Sequence, residues 1–196
     1  MSLVVLIGAQ AVGKMTVGEA LVPALNGRLL FNHQTLDLFA NYLGYDRRTF
    51  QLSDQTRKAL FRAFVADPAA NPVDTIIFTV MIDFNSQDDL DFLQEISTIF
   101  LTAAEPVYFV ELQADLAVRL QRNRSEHRLA AKPSKRDLAA SEQDLRESVT
   151  QYRLTSRPGE LARLFPQVNC LVLDNTGLAP TIVAQQICQH FSIGQH

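Results

Sequence analysis

The chain opens on an unbroken aliphatic run, residues 3–7, that stops at Gly8. Five apolar residues in a row fit a strand covered on both faces, since a strand with one wet face alternates. Across 14–25 the apolar positions change period to Val17, Ala20, Leu21, Ala24 and Leu25, which predicts a helix packed back on that strand and stopped by Asn26-Gly27. The same reading gives a short second strand over 28–31, a polar Asn32-His33-Gln34, and a helix from 35 to about 42. Ser53 is expected to cap a helix running to about 66, with Leu60, Phe61, Phe64 and Val65 inside and Asp67-Pro68 as its stop. A third strand follows over 74–82, a helix over 88–103, a fourth strand over 106–112 and a helix over 114–123. A capping box at 134–137 predicts a helix to about 152. A fifth strand over 168–173, a turn at 174–177 and a helix over 179–191 close the chain.

Strands separated by helices imply right-handed crossovers and a parallel sheet covered on both sides, a three-layer α/β/α arrangement. A chain of 196 residues holds one well-buried core, so a single domain over 1–196 is expected. In such sheets ligands bind beyond the carboxyl ends of the strands. The segments to question are therefore 8–16, 32–37, 83–89 and 174–178.

The first of these segments reads Gly8-Ala9-Gln10-Ala11-Val12-Gly13-Lys14, a GxxxxGK spacing between a buried strand and an amphipathic helix. Glycines let the backbone curl so that successive N–H groups converge, and their partial positive charge adds to the amino end of the helix. Phosphate fits such a nest, with Lys14 bridging the terminal phosphates as a point charge. Met15 stands where the hydroxyl that reaches magnesium usually follows the lysine, and Thr16 comes one place later.

With that loop, the sequence resembles the P-loop small-molecule kinases: nucleoside monophosphate kinases, shikimate kinase and chloramphenicol phosphotransferases. The resemblance implies a five-stranded P-loop kinase fold, ATP and Mg2+ as cofactors, and Gly8, Ala11, Val12, Gly13, Lys14, Met15 and Thr16 around the phosphates. Met15-Thr16 reads as the Gly-Thr pair of the nucleoside monophosphate kinases, with Thr16 near the α-phosphate and the metal. RLxxRxR at Arg119, Arg122 and Arg124 is similar to the start of a lid, here about 122–137. Arg122 and Arg124, with Arg128, are then expected to close on the transferring phosphoryl group and exclude water. The loop after the fifth strand would supply Asn175, Thr176 and Leu178 to the nucleobase, and Asp83, after the third strand, would orient the metal. His33 and Asp37 lie where such kinases keep acceptor residues, so His33 is the candidate base. Arg57, with Arg62, is the candidate for an anionic acceptor. Each of these residues also has a plain structural reading, as a helix cap, an Asx turn or a solvated helix face.

Departures from individual families are visible. The DxD after the second strand and the GGG after the third expected of shikimate kinase are missing, and Asp83-Phe-Asn-Ser-Gln replaces the DGFPR-type segment of adenylate kinase. Asp174-Asn175-Thr176-Gly177 spells DxxG, but it follows the last strand and no NKxD occurs to read guanine.

Composition narrows the partners. Net charge is −3, yet 119–136 holds seven bases and one acid, leaving 11 bases and 20 acids elsewhere. The net charge argues against a dedicated nucleic-acid binder, while the local excess of bases marks the expected lid. No apolar run reaches the roughly 20 residues a membrane span needs. Met1 leads directly into a strand, so a cytoplasmic enzyme without a membrane or nucleic-acid partner is expected, as monomer or homodimer. Cys170 and Cys188 read as buried reduced thiols. The leading expectation is ATP-dependent transfer of the γ-phosphate to a small hydroxylated or phosphorylated metabolite. The alternatives are an ATP-binding switch without turnover and a hydrolysing NTPase.

Overall fold

The computed structural model describes residues 1–126 and 137–194. Strands β1 (Ser2–Ile7), β2 (Gly27–Phe31), β3 (Thr75–Val80), β4 (Val107–Gln113) and β5 (Asn169–Asp174) form one sheet in the order β2-β3-β1-β4-β5. Every pairing in it is parallel. The helices among the described residues are α1 (Lys14–Leu21), α2 (Asn32–Leu43), α3 (Arg47–Ala66), α4 (Gln87–Thr102), α5 (Leu116–Asn123), α6 (Leu138–Gln151), α7 (Glu160–Leu164) and α8 (Pro180–Phe191).

The central strand explains its own composition. Leu3, Val5 and Ile7 join a core with Phe61 and Phe64 of α3 and Phe92, Ile96 and Phe100 of α4. Val4 and Leu6 face the opposite core, with Val17 and Leu21 of α1 and Val183 and Ile187 of α8. With both faces covered, no position between them tolerates a polar residue. The first core is aromatic: the Phe61 ring meets Phe78 at 5.7 Å and Phe100 at 5.9 Å, both edge to face.

Several boundaries differ from the sequence reading, each for a local reason. α2 begins at Asn32 directly after β2, because Gln34 accepts the Phe31 N–H at 2.9 Å and closes the first turn. α3 begins at Arg47, not Ser53, and Asp46 caps it by accepting the Arg48 and Thr49 amides. Ser53 is buried mid-helix, where its hydroxyl donates to Thr35 Oγ1 at 2.6 Å. β3 ends at Val80, and Ser86 caps α4. Asp137 caps α6 through the Ala140 amide, while Ser134 of the expected capping box lies outside the described residues. The short α7 was not expected.

Cys170 and Cys188 are free thiols, half-buried instead of buried. Burial pushes the Cys170 thiol up to about 11 and raises Cys188 as well. Among the described residues no helix is long and apolar enough to cross a membrane.

Candidate functional site

The turn from β1 into α1 is built by two positive-φ glycines. Gly8 has φ 149°, and a Cβ there would lie 2.5 Å from the Leu112 carbonyl oxygen on β4, so no larger residue fits. Gly13, at φ 109°, precedes α1 with no side-chain cap, which leaves the first amides of the helix to a ligand. Between them Ala11 sits at φ 58°, a left-handed conformation that costs an L-residue about 1–2 kcal/mol.

Side chains cover the carbonyls of this loop. Lys14 Nζ donates to the carbonyls of Gly8 and of Ala9, the latter at 2.8 Å. Arg119 Nε donates to Gln10 O at 2.8 Å, and Thr16 Oγ1 to Gly13 O at 2.9 Å. Val12 O accepts two bonds of 2.9 Å, from Arg122 Nη1 and from Asn175 Nδ2. With the carbonyls of Gly8, Ala9, Gln10, Val12 and Gly13 engaged by donors, the negative ends of these peptide dipoles are countered, which suits an anion beside the loop.

That space is a cleft of about 350 Å³ whose walls include Gly13, Lys14, Thr16, Arg122, Asn175 and Leu178. The size is that of a small-molecule site. Ala11, Val12 and Met15 also border it, and Met15 is itself buried, so the place of the usual hydroxyl is taken by a wall side chain. Asn175 is 2% exposed, and its Oδ1 is buried with no hydrogen-bond partner. A buried acceptor left open in a cleft wall fits a donor on a ligand. Thr176 does another job: its hydroxyl accepts the Asp115 amide at 3.0 Å and its own amide donates to Asp174 at 2.8 Å.

The two expected lid arginines part company. Arg122 ties the phosphate loop to the turn after β5, donating to the Asn175 carbonyl at 2.8 Å and the Thr176 carbonyl at 3.2 Å. Burial holds its guanidinium below the ordinary arginine value, with Asp174 pulling the other way. Arg124 points to α6, paired with Glu142 at 2.8 Å, which also holds Arg146. Arg128, Lys132, Lys135 and Arg136 lie outside the described residues.

On the β2 side, His33 Nδ1 is 2.8 Å from Asp37 Oδ1, and the Tyr45 hydroxyl donates to the same oxygen at 2.6 Å. α2 places the histidine and aspartate one turn apart, which is what brings them together. This edge is joined to the cleft through Thr79, a wall residue whose hydroxyl accepts the Asn32 amide at 3.2 Å.

Arg57 is turned inward. It is 3% exposed and donates to Thr35 Oγ1, to Asp54 and to the Asn32 carbonyl, so it braces the start of α2. Burial lowers its pKa to about 10, with Asp54 opposing the fall. Arg62 is exposed. Asp83 is committed to its own turn: its Oδ1 accepts the Asn85 amide at 2.9 Å and the Arg153 amide at 3.0 Å. It is not among the residues that line the cleft. Among the described residues no three His, Cys, Asp or Glu side chains converge on a metal position. Of the two expected metal residues only Thr16 lines the cleft, where its hydroxyl would be the one to meet a magnesium ion.

Sequence reasoning passed over two groups. Arg153 pairs with Glu160 through both carboxylate oxygens and donates to the Phe84 carbonyl, fastening the turn after β3 to the stretch before α7. Glu111 is fully buried on β4, opposite Ile7; one oxygen accepts the Ser156 amide at 3.0 Å and the other has no partner. A lone acid inside the apolar strand VYFVELQ was the signal available for Glu111.

No sequence-family model and no curated protein matches this chain. Solved structures do. A shikimate kinase from Acinetobacter baumannii, in complex with shikimate, is 18% identical with a TM-score of 0.57, covering 97% of this chain and 92% of that one. A sugar kinase from Janibacter sp. is 16% identical with a TM-score of 0.56, covering 98% and 95%. A gluconokinase from Sinorhizobium meliloti is 13% identical with a TM-score of 0.54, covering 97% and 91%. The fold is that of the P-loop small-molecule kinases, a five-stranded parallel sheet between two helical layers.

Proposed function

We propose that this chain is an ATP-dependent phosphotransferase acting on a small hydroxylated or phosphorylated metabolite. The observation that carries the reading is the phosphate loop: its carbonyls are covered by side-chain donors and it borders a 350 Å³ cleft at the carboxyl edge of the sheet. The structures it resembles bear the names shikimate kinase, sugar kinase and gluconokinase, which favours a hydroxylated acceptor.

In this reading Lys14 exchanges the Gly8 and Ala9 carbonyls for the terminal phosphates, and Asn175 Oδ1 accepts from an amino group of the nucleobase. His33 takes the proton of the acceptor hydroxyl, with Asp37 holding its Nδ1–H and so fixing the tautomer. Magnesium, bound with the triphosphate, would supply neutralisation of the phosphate charge. No nucleic acid or membrane is needed, and a monomer or homodimer suffices.

The test is ADP release in the presence of ATP and Mg2+, with and without shikimate, gluconate, nucleosides and aminocyclitols. Release that depends on one acceptor class is the expected result. Steady release with no acceptor would replace the proposal with a hydrolase, and tight ATP binding without any release would replace it with a switch.

A further inference from the structure

In the phosphate loop the Gln10–Ala11 peptide leads into the left-handed Ala11. Gln10 and Ala11 share a planar trans peptide, so the Gln10 carbonyl and the Ala11 N–H point in opposite directions. The carbonyl meets Arg119 Nε at 2.8 Å. Arg119 does not line the cleft; it borders a second cavity, with Ala9, Gln113, Asp115 and Thr155, that meets the cleft at Val12. The Ala11 N–H therefore points away from Arg119, and Ala11 itself borders the cleft.

That setting works against the chirality of alanine. Turning the peptide over by half a rotation carries φ of Ala11 from +58° into the negative range that L-residues prefer. The same turn swings the Gln10 carbonyl oxygen into the position a phosphate needs. Something must hold the less comfortable setting. Arg119 is 7% exposed, its Nη2 is buried with no partner, and burial pulls its guanidinium below the ordinary value. A cation kept in so poor an environment, with one of its bonds made to this carbonyl, is otherwise hard to account for.

We propose that Arg119 is a positioning residue that latches the Gln10–Ala11 peptide with its N–H toward the cleft, keeping the loop ready for a polyphosphate. This rests on the nucleotide reading of the cleft.

The probe is inorganic tripolyphosphate, titrated calorimetrically into the full chain. Binding by the wild-type protein tests the nucleotide reading alone; no binding overturns that reading and this inference together. Given binding, Arg119→Met should weaken it by about tenfold, the loss of one charge-assisted hydrogen bond. Ala11→Gly removes the penalty for positive φ, so adding it to Arg119→Met should restore at least about threefold more affinity than adding it to the wild type gains. A role in fold stability alone predicts no such rescue. Tripolyphosphate affinity within about twofold of wild type in Arg119→Met, or a weakened variant that Ala11→Gly leaves unimproved, overturns the latch. Should Arg119→Met not fold, Arg119→Lys with and without Ala11→Gly gives the same two readings, since the lysine keeps charge and stem but loses the planar fork.

Discussion

Lys14 is the residue on which the proposed phosphate chemistry turns. Its ammonium lies against the carbonyls of Gly8 and Ala9, and a phosphate must offer more than these two acceptors to draw it out. Charge-assisted bonds of this kind contribute about 1.5–3 kcal/mol, so Lys14→Ala should weaken ATP binding or turnover at least about tenfold with the melting temperature little changed. Calorimetry and a thermal scan on the same variant check both halves. At the proposed acceptor edge, Asp37→Asn keeps a hydrogen-bonding shape beside His33 Nδ1 but no longer fixes the donor there. Acceptor-dependent kcat should then fall by about 10²-fold, the lower range of general-base contributions, with the KM for ATP unchanged. An unaltered kcat would leave His33 a structural hydrogen-bonder of the start of α2.

The elements around the site were legible to different degrees. GxxxxGK between an aliphatic run and an amphipathic pattern identifies β1, the loop and α1, because backbone sterics dictate those glycines. Arg57 shows where such reading stops. A helical period places it on α3, but nothing in the period says that its fork reaches Thr35 and the Asn32 carbonyl on α2. Arg122 is similar, since its partners lie more than fifty residues away in sequence. Arg153 and Glu160 went unnoticed because the stretch before α7 has no periodicity at all. This pair makes its own prediction. The Arg153 guanidinium, followed by the Arg157 amide, holds the Glu160 carboxyl below the usual carboxylate range. A depressed carboxyl stabilises the fold above its unfolded value, and that contribution fades as pH falls through the folded value. Glu160→Gln should therefore melt earlier than wild type at pH 7, and the gap should close as pH is lowered below about 4, the unfolded reference for glutamate. Thermal scans across pH 3–7 measure it.

At the level of the whole molecule the sheet is held from both sides by different kinds of packing, an aromatic cluster on the α3 and α4 face and an aliphatic one on the α1 and α8 face. Phe61 is fully buried at the centre of the first. Phe61→Ala should cost about 3–5 kcal/mol in urea unfolding, and a loss under 1 kcal/mol would mean that the cluster refills the space. The cleft lies across the sheet from that cluster, at the carboxyl end of β1, so the variant should unfold sooner yet bind nucleotide normally while folded. Lys14 gives the cleft a further property. Because its ammonium already has two resident acceptors, lengthening a nucleotide tail should not tighten binding in even increments. Mono-, di- and triphosphates should instead show one abrupt gain, at the first tail long enough to offer the ammonium a better berth than its own backbone, and the place of that step measures how deep the tail must reach.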